Sequence, residues 1–297
     1  MRHFFTMKKT FFLETPKNFD YKRTVWSHGW YQLLPFEFDE ESWTLGSVIV
    51  CDKPVFVEIN EAENALQIEV SEKINNEQEA KILKDVRHIF RLDDNLSEFY
   101  KLTKSEKYLA WVAKQNAGRM LRSTSVFEDL VKTICTTNCN WAMTKIMVAN
   151  LVNKLGEVST SGKKAFPTAE AMAKMPVEFY KEEIRAGYRA SYFKELAEKL
   201  AEGKLEVESW LHTDLPTKQL KKEMKQVKGV GNYAAENLLK LLGRYDGLAL
   251  DSFLRGEFYK KYNQGNSCED KQIEAHYEKF GDWRGLVMWL DMTEKWL

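Results

Sequence analysis

The residues of this chain that could do chemistry begin with Gly229-Val230-Gly231, a break between two helical patterns, QLKKEMKQV before it and NYAAENLLKLLG after it. Glycine reaches φ > 0 at little cost and lets another backbone approach closely, so the break reads as a tight turn. The second helix starts at Asn232 or Tyr233, and the free amides of a helix start make a ready phosphate site. Lys218, Lys221, Lys222, Lys225 and Lys228 crowd the turn against Glu223, a local excess of positive charge. About twenty residues further on, the apolar Leu248-Ala249-Leu250 runs into Asp251 at the start of another helical pattern. A carboxylate fixed there could stabilise developing positive charge or orient a water. A plainer account covers the same residues: an αα-turn with a solvated lysine face, and an aspartate capping a helix.

Other chemistries find little support. Lys plus Arg and Asp plus Glu both number 44, so any contact with nucleic acid must be a local patch. Cys51, Cys135, Cys139 and Cys268 are scattered, and the one close pair, Cys135 and Cys139, reads as core thiols one helical turn apart. Neither an iron–sulfur cluster nor a zinc site is expected from that spacing, and His3, His28, His88, His212 and His276 are isolated. No apolar run approaches the roughly 18 residues of a membrane span. Glu14 interrupts the short apolar patch of MRHFFTMKKTFFLETP, which argues against a signal peptide and leaves the cytoplasm, or the nucleoid of a bacterium, as the expected location.

Positioning these groups requires a scaffold, and 297 residues can bury a large core. From about Tyr21 to Val70, short runs such as SVIV, VFVEIN and ALQIEV between turn-like segments predict an antiparallel sheet. After Asn76 the period becomes helical, with candidate helices at 76–91, 95–102, 104–114, 124–136, 141–155, 168–174, 176–184, 189–202, 215–225, 232–242, 252–262, 269–280 and 283–292. GEVSTSGKKAFP at 156–167 reads as a surface loop. The expected fold is α+β: an N-terminal antiparallel sheet domain over 1–100, then a helical domain over 101–297 with a hairpin at 219–242.

Residues 219–258 resemble the helix-hairpin-helix DNA glycosylases, which carry a Gly-Val-Gly hairpin and, about twenty residues later, an apolar approach to an aspartate. VFEDLVKTICTTNCNWAMTKIMVANL at 126–151 is similar to the segment that bears the DNA-probing loop in the alkylpurine and 8-oxoguanine members. Ile184 to Ala190, and Phe90-Arg91-Leu92-Asp93 with Leu96 and Tyr100, fit the same two-domain families, so the likeness spans roughly 20 to 292.

The resemblance implies a base-excision enzyme that flips a damaged base from double-stranded DNA. It makes Asp251 the catalytic carboxylate and puts Tyr233 where bifunctional members hold a Schiff-base lysine; Lys228 and Lys240 do not replace it. A monofunctional hydrolase is therefore expected, acting as a monomer with no required cofactor. Lys228, Gly229, Gly231 and Asn232 would hold the DNA backbone, and Asn138 would fill the gap left by the flipped base, unless it merely caps the helix near Trp141. Trp289 matches a pocket aromatic, with Asn237, Trp30, Trp141 and Phe253 as further candidates for the pocket, and Trp26 beside them; taken alone, Trp26, Trp30 and Trp141 each read as core rather than pocket. In the family a monovalent cation, Na or K, sits on hairpin carbonyls, which here would be those of Lys225, Val227 and Val230.

The sequence departs from the 8-oxoguanine pattern at Tyr233, at Asn237 where a cysteine stands, at Gly285 where a glutamine grips the base, and at Met143 where an arginine reads the opposite base. Lys228 also replaces a common hairpin proline. Alkylated purines, whose positive charge suits aromatic faces, become the expected substrate. An 8-oxoguanine-type enzyme, a non-catalytic helix-hairpin-helix DNA-binding protein and a helical scaffold are the alternatives.

Overall fold

The computed structural model describes residues 8–296, so His3 and the first residues of the opening segment lie outside it. Strand β1 (Lys9–Glu14) precedes a short helix α1 (Tyr21–Val25), after which come β2 (Glu37–Asp39), β3 (Thr44–Val50), β4 (Pro54–Ala62) and β5 (Ala65–Val70). The sheet is antiparallel in the order β1-β5-β4-β3-β2. Strand β1 belongs to the segment weighed above only as a signal peptide, and its pairing with β5 turns Phe11 and Leu13 inward while Phe12 faces out. The sheet was expected to begin near Tyr21, where α1 forms instead. Asp20 explains this, since its carboxylate accepts the amide of Arg23 and starts a helix.

The helical part runs through α2 (Asn76–Ile89), α3 (Ser97–Ser105), α4 (Ala110–Lys114), α5 (Val126–Thr136), α6 (Trp141–Leu155), α7 (Ala169–Ala173), α8 (Val177–Glu182) and α9 (Ala190–Ala201). It continues with α10 (Thr217–Met224), α11 (Asn232–Leu241), α12 (Ser252–Tyr262), α13 (Asp270–Tyr277) and α14 (Arg284–Thr293). The α+β architecture is as the sequence predicts. One cluster of buried apolar side chains runs from Phe11 in the sheet to Met292 in α14, continuous across position 100. The 156–167 segment is only partly a surface loop: Val158 bridges Lys164, and Ala165 and Phe166 are buried.

Buried arginines hold the end of α11. Arg91, itself at φ 55 and paired with Asp94, donates to the carbonyls of Lys240 and Leu241 at 3.0 and 3.1 Å. Arg122 donates to Leu241 as well. Cations on the last carbonyls of a helix satisfy orphan acceptors and complement its dipole. The Phe90-Arg91-Leu92-Asp93 motif thus anchors the helix that follows the hairpin.

Candidate active-site cleft

Helices α10 and α11 flank the turn at residues 225–231, a helix-hairpin-helix. Gly229 sits at φ 92, and a Cβ there would lie 2.6 Å from the Tyr192 ring, so conformation and space both require glycine. Gly231 is different. Its φ is −86 and a Cβ would project into open space, so the backbone does not demand glycine there. It leaves the start of α11 uncovered: this helix has no side-chain cap, so its first-turn amides point out unmasked. Asn232 receives the ammonium of Lys225 at 2.8 Å, and Lys228 lies 3.6 Å from Glu195 and over the Tyr192 ring.

The hairpin forms one wall of a cleft of about 1420 Å³. Pockets for small ligands are typically about 300–1,000 Å³, so this one has room for a base with its sugar and phosphates. Asp251, Tyr233, Asn237, Trp289, Trp30, Trp141, Phe253, Trp26, Asn138 and the whole hairpin from Lys225 to Asn232 except Gln226 line it. Every residue expected from the resemblance to be catalytic, to hold DNA or to line the base pocket therefore borders one space.

Asp251 is the N-cap of α12, with Oδ1 accepting the amide of Leu254 at 2.8 Å. The cap and the cleft position coexist, because the bond occupies one oxygen and fixes the carboxylate on the wall. Tyr233 stands beside it. Burial, and then the charge of Asp251, raise the phenol above its usual range, so it stays a neutral donor facing that carboxylate and Thr136.

Asn138 is exposed in the loop between α5 and α6, at φ 47, and its amide reaches the Tyr188 hydroxyl at 3.3 Å. It does not cap the helix at Trp141; Asn140 does, accepting from Met143 at 2.9 Å. The Gly187-Tyr188-Arg189 stretch supports this loop, since buried Arg189 donates to the Ile134 carbonyl at 3.2 Å and to the Thr137 hydroxyl at 3.3 Å. Cys139 also lines the cleft, with its thiol on the Cys135 carbonyl, so only Cys135 is a true core thiol.

The aromatic residues are pinned by their indole N–H groups. Trp289 donates to Ser27 O at 2.8 Å, Trp141 to Gln32 Oε1 at 2.7 Å, and Trp30 to Asp129 Oδ1 at 2.7 Å. Core and pocket are not alternatives for Trp30, which is buried yet floors the cleft. Burial pushes Asp129 up to about 6, and the His28 imidazole down to about 4, so His28 is neutral and donates to Leu121 O.

Several lining residues escaped the sequence reading. Thr133 and Thr136 lie three apart on α5, a spacing that puts both on one face, and the Thr133 hydroxyl is buried without a protein partner. Gly29 fits under Trp141, where a Cβ would come within 2.4 Å of the ring. Trp296, edge-on to Trp289 at 5.4 Å and near Phe253, carries no local pattern that would announce it.

Met143, Lys218, Lys221, Lys222, Gly285 and Lys240, also marked from the sequence, lie off the cleft wall. Gly285 packs on backbone, where a Cβ would fall 2.0 Å from the Gly247 carbonyl. Lys240 is buried beneath Trp289, with its ammonium 5.6 Å from the ring centre. The lysines that do line the cleft, Lys225 and Lys228, belong to the hairpin.

No protein-family model matches the chain. The fold is shared with DNA glycosylases of known structure. It superposes on the 8-oxoguanine glycosylase/lyase of Clostridium acetobutylicum with TM-score 0.74 at 22% identity, covering 96% of this chain and 97% of that one. The 3-methyladenine DNA-glycosylase of Archaeoglobus fulgidus aligns with TM-score 0.76 at 20% identity, over 96% and 98% of the two chains. A stretch of 129 residues, 39% of this chain, is 28% identical to an N-glycosylase/DNA lyase of Saccharomyces cerevisiae. That stretch spans 34% of the yeast protein's length.

Proposed function

We propose that this protein is a monofunctional DNA glycosylase that hydrolyses the N-glycosidic bond of a damaged purine flipped out of double-stranded DNA, with alkylated purines as the main substrate. The observation that carries it is Asp251, fixed by its cap on the wall of a cleft that the hairpin also lines, beside Tyr233 rather than a lysine. The hairpin amides and Lys225 hold phosphates, and Asn138 enters the gap in the stack. The extruded base stacks among Trp289, Trp141 and Phe253. As the bond breaks, positive charge grows on the sugar, and the Asp251 carboxylate stabilises it and orients the attacking water. A phenol cannot form an imine, so the product is an intact abasic site.

A monovalent ion fits this reading. The carbonyls of Lys225, Val227 and Val230 are neutral oxygen donors, and that of Val227 accepts only the Val230 amide, at 3.0 Å, leaving a lone pair. Na or K held there would bridge the hairpin to a phosphate. The protein acts as a monomer on duplex DNA. The Thr133 hydroxyl favours a second reading, an oxidised purine whose N–H or carbonyl edge would satisfy that buried group.

Single-turnover release from a panel of lesion duplexes separates these substrates. Asp251→Asn is expected to slow release by at least about 100-fold, since fixed groups of this kind are worth that much, while abasic-site binding persists. Borohydride should trap no covalent adduct with the wild type. Unimpaired release by Asp251→Asn, or a robust trapped adduct, would remove this mechanism.

A further inference from the structure

The stretch that delivers Asp251 to the cleft is gripped from one side by α11. Lys240, fully buried, donates from Nζ to the Leu248 carbonyl at 3.0 Å. Glu236, one turn earlier on the same helix, accepts the Ala249 amide on Oε2 at 2.6 Å. Between these contacts Ala249 is buried at φ 53, a region that alanine rarely enters. Such a conformation persists only where its surroundings over-determine it. We infer that Lys240 and Glu236 act as a clamp that sets the position of Asp251, making them positioning residues for base release. This inference rests on reading Asp251 as the catalytic carboxylate.

The rest of the packing serves the same end. Glu236 is tied back to α10 by its ion pair with Lys221, and a Cβ on Gly247 would lie 2.7 Å from its Cγ, so the stretch is seated directly against it. From the opposite side the Gly285 amide of α14 donates to Tyr245 O at 2.7 Å. Neither clamp residue lines the cleft, so neither is placed to touch the base.

The groups facing Lys240 are Glu236 on its own helix, the Asp251 carboxylate, the neutral His28 imidazole and the Trp289 ring. Burial pulls its ammonium down to about 8 against the pull of the two carboxylates. Above that pH it becomes a neutral amine and a weaker donor to Leu248, so release should slow as pH rises through about 8.

Three variants of the full chain test the clamp: Lys240→Met, Glu236→Leu and Glu236→Gln, the last keeping an oxygen to accept from Ala249. Lys240→Met and Glu236→Leu should slow single-turnover release by about tenfold to 100-fold, the scale of a small misplacement of a catalytic group. Binding to an abasic-site duplex should stay near the wild-type level, and Glu236→Gln should release at close to the wild-type rate. The alkaline fall should vanish in Lys240→Met. Amide exchange supplies a readout free of activity, since the Ala249 N–H should exchange faster in Glu236→Leu and not in Glu236→Gln. Wild-type release by Lys240→Met, a Glu236→Gln variant as slow as Glu236→Leu, or Ala249 protection unchanged in Glu236→Leu each overturns the proposal. If the wild type releases no base from any lesion, the glycosylase reading fails, and the exchange measurement still decides the clamp.

Discussion

Asp129 shows how one buried group beneath the cleft shapes the behaviour of the whole protein. It accepts from the Trp30 indole and from the Ser123 amide, and burial raises its pKa from 3.8 to about 6. Because the folded state holds this proton more tightly than the unfolded chain, stability from this group is full below pH 3.8 and is lost as pH rises to about 6. The loss is on the order of 3 kcal/mol, from about two units at roughly 1.4 kcal/mol each. His28, pushed down to about 4, works in the opposite sense, so the difference between wild type and a variant isolates the aspartate. Asp129→Asn keeps an oxygen for both donors. Urea unfolding between pH 4 and 7 should show the wild type losing stability relative to this variant as pH rises; parallel curves would contradict the assignment. The sequence could not point to Asp129 because its partners are 99 and 6 residues away and only folding brings Trp30 to it.

Among the elements, α14 decides where the stretch before Asp251 can lie. The place of Gly285 was read from the sequence as a missing base contact, yet the glycine is required because α14 crosses the Tyr245–Gly247 backbone at close range. Gly285→Ala would put a methyl 2.0 Å from the Gly247 carbonyl, so backbone must shift. Forcing a methyl into a packed site typically costs about 1–3 kcal/mol. A melting temperature lower by several degrees and slower base release are expected together, measured by calorimetry and single-turnover assay. No change in either would mean that the crossing is loose. Helix positions themselves were legible, since the 3.6-residue period and the caps Asn75, Ser125, Asn140 and Asp251 are local signals. Strand β1 was not, because its six residues gain meaning only by pairing with β5.

For the molecule as a whole, a net charge of zero means that the proposed attraction to DNA must come from local charge, which Lys225 and Lys228 supply on the hairpin wall of the cleft. The five lysines counted there from the sequence are not equivalent. Lys221 is committed to Glu236, whereas Lys225 and Lys228 line the cleft, Lys228 near Glu195 and Lys225 beside Asn232. Each phosphate contact contributes about 0.9 to the slope of log affinity against log salt on duplex DNA. Lys225→Gln should reduce the slope by about that amount and Lys221→Gln by much less, read by titrating an abasic-site duplex at several salt concentrations. Equal effects would show that the Lys221 ion pair opens on binding. Among the described residues no helix is long and apolar enough to cross a membrane.

By itself the sequence determined the α+β class, the glycine turn between two helices, the helix start at Asp251 and the presence of tyrosine rather than lysine at position 233. These are carried by period, glycine placement and short-range spacing, which the chain writes locally. Tertiary structure alone decided that Trp30 is both core and cleft floor, and that Lys240 and Glu236 grip the backbone before Asp251. Each of these depends on which groups a folded chain buries next to one another. A buried lysine must find a carbonyl, and a strained alanine must be held, only once α11, α14 and the stretch between them have closed together.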